Sequence, residues 1–259
     1  MSKEKIKQTF SRLNKNNDKA FISYIMGGDG GLDQLKNQIQ LLQDSGVDVI
    51  EIGIPFSDPV ADGPVIQEAA LRALSDNVSL RDILNQLKEI KDEVHVPLVI
   101  MTYINPLLTL GYEAFSKEAA EAGVSGVIIP DVPYEEEDEI KDYLTDADIA
   151  LIRLITLTSD EERIKTLTKD AEGFIYAVTV KGTTGGRVEY GEDTYALLEK
   201  IKSVSDVPVC AGFGVSSREM AEKLSRHTDG VIVGSKIVDL LHQKKFDDIK
   251  HLIPEKTTS

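Results

Sequence analysis

Eight apolar, β-rich runs alternate with amphipathic helical patterns along the 259 residues, and together they predict an α/β fold. The expected architecture is a single-domain (β/α)8, or TIM, barrel over residues 1–259, with an extra N-terminal helix. The runs are continuously apolar (VDVIEIGI, VPLVIM, SGVIIP, GVIVG), as in strands covered on both faces of a parallel sheet. Most of them start 20 to 35 residues apart, the spacing of strands and helices joined by short loops. No Pro-, Gly- or Ser-rich linker and no shift in composition divides the chain.

The first element reads as a helix within MSKEKIKQTFSRL, because Ile6, Phe10 and Leu13 share one helical face. Strands are expected at Ala20–Met26, Val47–Gly53, Val96–Tyr103, Val124–Pro130, Ala150–Ile155, Gly173–Val180, Val207–Gly212 and Gly230–Gly234. Between the first two, LDQLKNQIQLLQDSG repeats Leu35, Ile39 and Leu42 at helical spacing, and Gly46 supplies a left-handed stop. The longer gap from Val47 to Val96 has room for helices near Val65–Leu74 and Leu80–Lys91. The acidic run Glu135–Glu139 reads as the solvated first turn of a helix, where carboxylates suit the dipole. An open doubly wound sheet is the competing architecture, but no GxGxxG follows the first strand.

Charge and composition exclude several function classes. Against 44 acidic residues the chain has 29 basic ones, and the net charge of −15 repels nucleic acid and anionic membrane alike. Cys210 is the only cysteine, which excludes an internal disulfide and a Cys-rich zinc site and fits a reducing cytosol. His95, His227, His242 and His251 are scattered, with no His-x-His or His-x-x-x-His pair for a metal. No apolar run approaches the roughly 20 residues that cross a bilayer, and the N-terminus lacks a signal-peptide core. A cytoplasmic protein is expected.

In a barrel of this kind the chemistry belongs to the loops after the strands. Glu51 lies inside VDVIEIGIP at the end of the second strand, where an unpaired carboxylate is costly to bury. It is either a barrel-filling acid paired with a base or a general acid/base tuned by its surroundings. Arg153 is the one basic residue visible on the core positions of neighbouring strands. The following loop, IPFSDPVADGPVIQEA, holds three prolines and carries Asp58 and Asp62, each ahead of a turn signal. Asp62 reads either as a turn-former or cap, or as a second carboxylate at the strand end that divides charge stabilisation from proton transfer.

Three glycine clusters come next: KGTTGGR (181–187), AGFGVSS (211–217) and VGSKIV (233–238). The last two follow successive strands and lead into helices, the arrangement that cradles phosphate. The first reads either as a mobile lid or as a loop without a role of its own. Tyr24, Tyr103, Tyr176 and Phe213, with Met101 and Ile128, would suit a flat apolar ligand. Pattern alone therefore reaches a phosphate-bearing, partly aromatic substrate and acid/base chemistry.

With EIGIPFSDPVADGPVIQ, YINPLLTLG, IIPDVPYEE, the TTGG loop, GFGVSS and GSKIV in order, the chain resembles the tryptophan synthase α subunit family over essentially its whole length. The resemblance implies a cofactor-free retro-aldol cleavage of indole-3-glycerol phosphate to indole and glyceraldehyde 3-phosphate. Indole would pass to a pyridoxal-phosphate-dependent β subunit in an α2β2 assembly. It implies Glu51 as general acid/base and Asp62 as the carboxylate that binds the indole N–H. Thr184 matches the lid threonine and Tyr176 the tyrosine beside the glutamate. Gly185, Gly214, Gly234 and Ser235 match the phosphate cradle, while Tyr24, Met101, Tyr103, Ile128 and Phe213 fall on the indole pocket. The stretches Pro55–Pro64 and Asn105–Leu110 match the β-subunit contact surface. The chain departs from the pattern at Tyr24 (often Phe), at Met101 (often Leu), and at Val180 and Lys181, where some members carry Arg then Ser. This altered lid leaves open a stand-alone lyase that releases free indole.

Overall fold

The computed structural model describes residues 2–156, 158–179, 191–212 and 214–256. Nine parallel strands form one curled sheet: β1 (Ala20–Met26), β2 (Val49–Gly53), β3 (Leu98–Met101), β4 (Val124–Ile128), β5 (Ala150–Leu151), β6 (Leu154–Thr156), β7 (Ile175–Val178), β8 (Val209–Gly212) and β9 (Gly230–Val233). The order is β5-β4-β3-β2-β1-β9-β8-β7-β6, each neighbouring pair parallel. The sequence predicts eight strands, and the ninth arises because the expected strand Ala150–Ile155 changes partners midway. The Ile152 N–H donates to the Val127 carbonyl (2.9 Å), whereas the Arg153 carbonyl accepts from the Tyr176 N–H (2.9 Å). Two consecutive residues thus hand the chain from β4 to β7, and the sheet closes on itself through that peptide. The result is the expected barrel with its fifth strand shared across the seam.

Twelve helices surround the sheet among the described residues: α1 (Ser2–Lys15), α2 (Gln34–Asp44), α3 (Pro64–Ser75), α4 (Leu80–Ile90), α5 (Ile104–Leu110), α6 (Tyr112–Glu121), α7 (Asp138–Asp146), α8 (Glu161–Thr168), α9 (Glu192–Val204), α10 (Arg218–Ser225), α11 (Ser235–His242) and α12 (Phe246–Leu252). Strands β1 to β4, β8 and β9 are buried at every residue, which explains why their sequences do not alternate. The buried face of α1 is Ile6, Phe10 and Leu13. Its Phe10 ring meets Phe174 at 6.0 Å, just ahead of β7. Lys3 bonds the Asp148 carbonyl through its N–H (2.9 Å) and pairs with Glu172 (2.8 Å), so α1 covers the end at which the strands begin. Gly46 ends the turn after α2 at φ +93°, as expected of a left-handed stop.

The acidic run after β4 departs from expectation. Residues 134–136 form a short 3-10 turn and α7 starts only at Asp138. Glu137 is buried and receives two bonds from the equally buried Arg153, one of them Nε to Oε2 at 2.9 Å. The remaining Arg153 donors go to the carbonyls of Leu167 (3.2 Å) and Lys169 (2.6 Å). The base that was the sequence candidate to pair Glu51 is therefore committed to the barrel seam.

Candidate active site

Parallel register assembles the site. Tyr24 pairs with Glu51 across β1 and β2, and Gly53 pairs with Met101 across β2 and β3. On the far side of the barrel Tyr176 pairs with Cys210, and Val178 with Gly212. Alternation along each strand then sends Tyr24 and Glu51 to one face, one step below the glycine that ends β2. A Cβ on Gly53 would stand 1.9 Å from the Tyr24 hydroxyl, and one on Gly212 would stand 2.6 Å from that of Tyr176. Any larger residue at either strand end would displace a tyrosine.

These groups wall a cavity of about 240 Å³ at the ends of the strands. Tyr24, Glu51, Asp62, Met101 and Tyr176 line one part; Gly214, Val215, Ser216, Gly234, Ser235, Lys236 and Asp239 line the other; Val65 and Ile66 of α3 complete it. Ile128, fully buried, and Tyr103, 4 % exposed, are not among the lining residues: Ile128 pairs with Met101 across β3 and β4, and Tyr103 bonds Asp62. Thr184, Gly185 and Phe213, with the lid residues Val180 and Lys181, lie outside the described residues. Sequence reasoning did not single out Val65, Ile66, Lys236 or Asp239. The signal for the last two was present in VGSKIV and the Asp239 that follows it, which put Lys236 and Asp239 three residues apart on a helix that opens at a phosphate-type glycine.

Glu51 is 1 % exposed, and neither carboxylate oxygen has a hydrogen-bond partner among the described residues. Burial, reinforced by the charge of Asp62, pushes its pKa up to about 8. Asp62 behaves differently. Burial raises it to about 6, and a hydrogen bond from the Tyr103 hydroxyl pulls the other way. The same hydroxyl accepts from the Ala61 N–H at 3.0 Å. The Phe56 ring rests against Tyr103 with centroids 5.3 Å apart. Asp62 is not a cap: Gly63 takes that position in extended conformation, with Pro64 opening α3. At neutral pH one carboxyl therefore holds a proton while its neighbour is ionised, the separation that acid/base catalysis on one substrate requires. Tyr24, buried beside both acids, stays a neutral phenol.

The opposite part of the cavity is built for an anion. Helix α11 begins at Ser235 with Gly234 before it and no side-chain cap, which leaves its first-turn N–H groups facing the cavity. Ser217 caps α10 by accepting from the Met220 N–H (3.3 Å). Among the described residues no group of three or more His, Cys, Asp or Glu could hold a metal ion, and no helix is long and apolar enough to cross a membrane.

The model of the tryptophan synthase alpha chain family matches residues 10–258. The chain belongs to the tryptophan synthase alpha chain family. A tryptophan synthase alpha chain from Bacillus cereus is 51 % identical over 98 % of this chain and 96 % of that protein. Among solved structures, Mycobacterium tuberculosis tryptophan synthase superposes with a TM-score of 0.87 at 34 % identity, covering 95 % of this chain and 94 % of that one. The Legionella pneumophila alpha subunit gives 0.84 at 32 % identity, over 94 % of this chain and 91 % of that one. The function is that of a tryptophan synthase alpha chain, a lyase of tryptophan biosynthesis on a TIM-barrel fold.

Proposed function

We propose that this chain cleaves indole-3-glycerol phosphate to indole and glyceraldehyde 3-phosphate, with Glu51 and Asp62 as the catalytic pair. The observation that carries the reading is the proton-holding carboxyl of Glu51, without a hydrogen-bond partner among the described residues, beside an ionised Asp62. Indole leaves poorly until its C3 is protonated; Glu51 supplies that proton. The positive charge that then develops at the ring nitrogen is met by the Asp62 carboxylate. As the carbon–carbon bond breaks, its electron pair passes to the indolenine. The Glu51 carboxylate takes the proton of the adjacent glycerol hydroxyl, an aldehyde forms, and Glu51 is again protonated. No cofactor enters the balance.

Tyr24, Met101 and Tyr176 flank the indole, with Tyr103 and Ile128 beside them; Phe213 and Thr184, outside the described residues, match positions of the same pocket in the family. Gly214, Gly234 and Ser235, together with Gly185, hold the phosphate. The chain works as one domain in the cytoplasm and passes indole to a β subunit in an α2β2 assembly. Val60, 76 % exposed in the loop after β2, and Leu108, 56 % exposed on α5, support a partner surface on the two stretches that carry them. Tyr103 and Asp62 join those stretches to the site.

The test is indole release from indole-3-glycerol phosphate by the purified chain, alone and with a β subunit from the same source. Slow release that rises strongly with β fits the proposal. Fast release that ignores β identifies a stand-alone lyase, and no release in either arm rejects the reaction.

A further inference from the structure

The cavity has three carboxyl groups in its wall, Glu51, Asp62 and Asp239, and a single basic side chain among its described lining residues, Lys236. Glu51 holds its proton, but the wall still carries more acid than base and disfavours a phosphate ester unless one group offsets it. Lys236 is half-buried on the first turn of α11, and it makes no ion pair among the described residues. Asp239, on the same helical face, is held by Gln243 (2.6 Å). Among the described residues the lysine is therefore a cation without an ion-pair partner.

Its position is also unfavourable for the helix that carries it. A cation at a helix N-terminus opposes the macrodipole, and carboxylates suit that end. Helices α4, α6, α7, α8, α9, α10 and α12 each place an acid in the first turn. Helix α11 has none there and puts Lys236 in that turn. A lysine against the dipole, without a carboxylate partner among the described residues, in the wall of an otherwise acidic cavity, is placed to receive an anion.

We propose that Lys236 selects for the phosphate group of the substrate, its ammonium pairing with the phosphate oxygens that meet the uncapped end of α11. This rests on the phosphate-ester reading above and adds a charged contact to the backbone cradle. Because phosphate is remote from the bond that breaks, the contact is made equally in ground and transition states. Its loss should weaken binding without slowing the chemical step.

The test compares wild type with Lys236→Gln and Lys236→Arg, using indole-3-glycerol phosphate and the phosphate-free indole-3-glycerol. For Lys236→Gln we expect KM for the phosphate ester to rise about tenfold at unchanged kcat, with kcat/KM for the phosphate-free compound unaltered and Lys236→Arg close to wild type. A KM within twofold of wild type overturns the proposal. So does an equal loss on both substrates, which would make Lys236 a shaping residue. If wild type fails to turn over the ester, the reaction assignment falls, and inorganic phosphate then decides the role of Lys236. A phosphate-induced rise in Tm that Lys236→Gln loses and Lys236→Arg keeps supports the anion contact; equal rises in all three reject it.

Discussion

Two buried glutamates in this barrel are handled in opposite ways. Glu51 at the end of β2 is 1 % exposed and Glu137 at the seam between β5 and β6 is 5 % exposed. Glu137 has a guanidinium dedicated to it, and that guanidinium is in turn satisfied by two backbone carbonyls. Glu51 has no hydrogen-bond partner among the described residues and keeps a proton instead. Burial alone therefore does not mark a functional acid. What separates the two is whether the fold supplies a counter-charge: where it does, the acid fastens structure, and where it withholds one, the acid retains a transferable proton.

The largest expected effects come from exchanging these fates. Glu51→Gln keeps the shape and removes the proton donor, so indole release should fall by about 10²–10⁴-fold. Turnover near the wild-type rate would reject Glu51 as the acid. Glu137→Gln should leave kcat of the folded protein within a few-fold of wild type. It should cost about 3–5 kcal/mol in denaturant-measured stability, because Arg153 is left buried and uncompensated. Replacing both partners by apolar residues of similar volume should recover most of that loss. A stable single variant would show that water already compensates Arg153.

The same contrast shows how far the sequence could be read. Glu51 was legible because it is the single charge inside VIEIG, an otherwise apolar strand. Glu137 was not, since it sits in a uniformly acidic run and its buried partner Arg153 lies sixteen residues away. The strand count followed from apolar runs, but the split of the fifth strand depends on which neighbour each peptide meets, a property of closure with no local signature. Asp62 could be read as a turn-former until Tyr103 was seen to hold its carboxylate. Lys236 was hidden because a lysine in a short amphipathic helix resembles any solvated position; only the cavity wall distinguishes it.

A smaller effect sharpens the comparison through pH. The Glu51 carboxyl lies near 4.5 in an unfolded chain and at about 8 in the fold, so between those values the native state holds a proton that the unfolded state lacks. Stability must then fall as pH rises through that window. The full cost above pH 8 is on the order of 5 kcal/mol. Glu51→Gln removes this term, and its Tm should decline less than that of wild type between pH 5 and 9. Parallel Tm curves would mean that Glu51 is ionised in the fold and that its proton is not the one transferred. In wild type, kcat/KM should follow a bell, rising as the pair first ionises near pH 6 and falling as it loses its second proton near pH 8.

Tyr103→Phe tests the acid that stays charged. The Tyr103 hydroxyl lowers the Asp62 pKa by donating to it, and it also accepts the Ala61 N–H in the loop that carries exposed Val60. Without the hydroxyl, Asp62 should ionise at higher pH, moving the acidic limb of the kcat/KM profile upward from about 6 and leaving the basic limb in place. Activity at pH 7 should drop by about three- to tenfold, and stability by about 1 kcal/mol from the lost hydrogen bonds. The asymmetry is the informative part. A structural defect would lower the whole bell, whereas a displaced acidic limb under an unchanged basic limb shows that a partner tunes Asp62 while Glu51 titrates without one. If both limbs move together, the two carboxyls are one coupled unit, and the contrast between a held acid and an unheld one fails within the site itself.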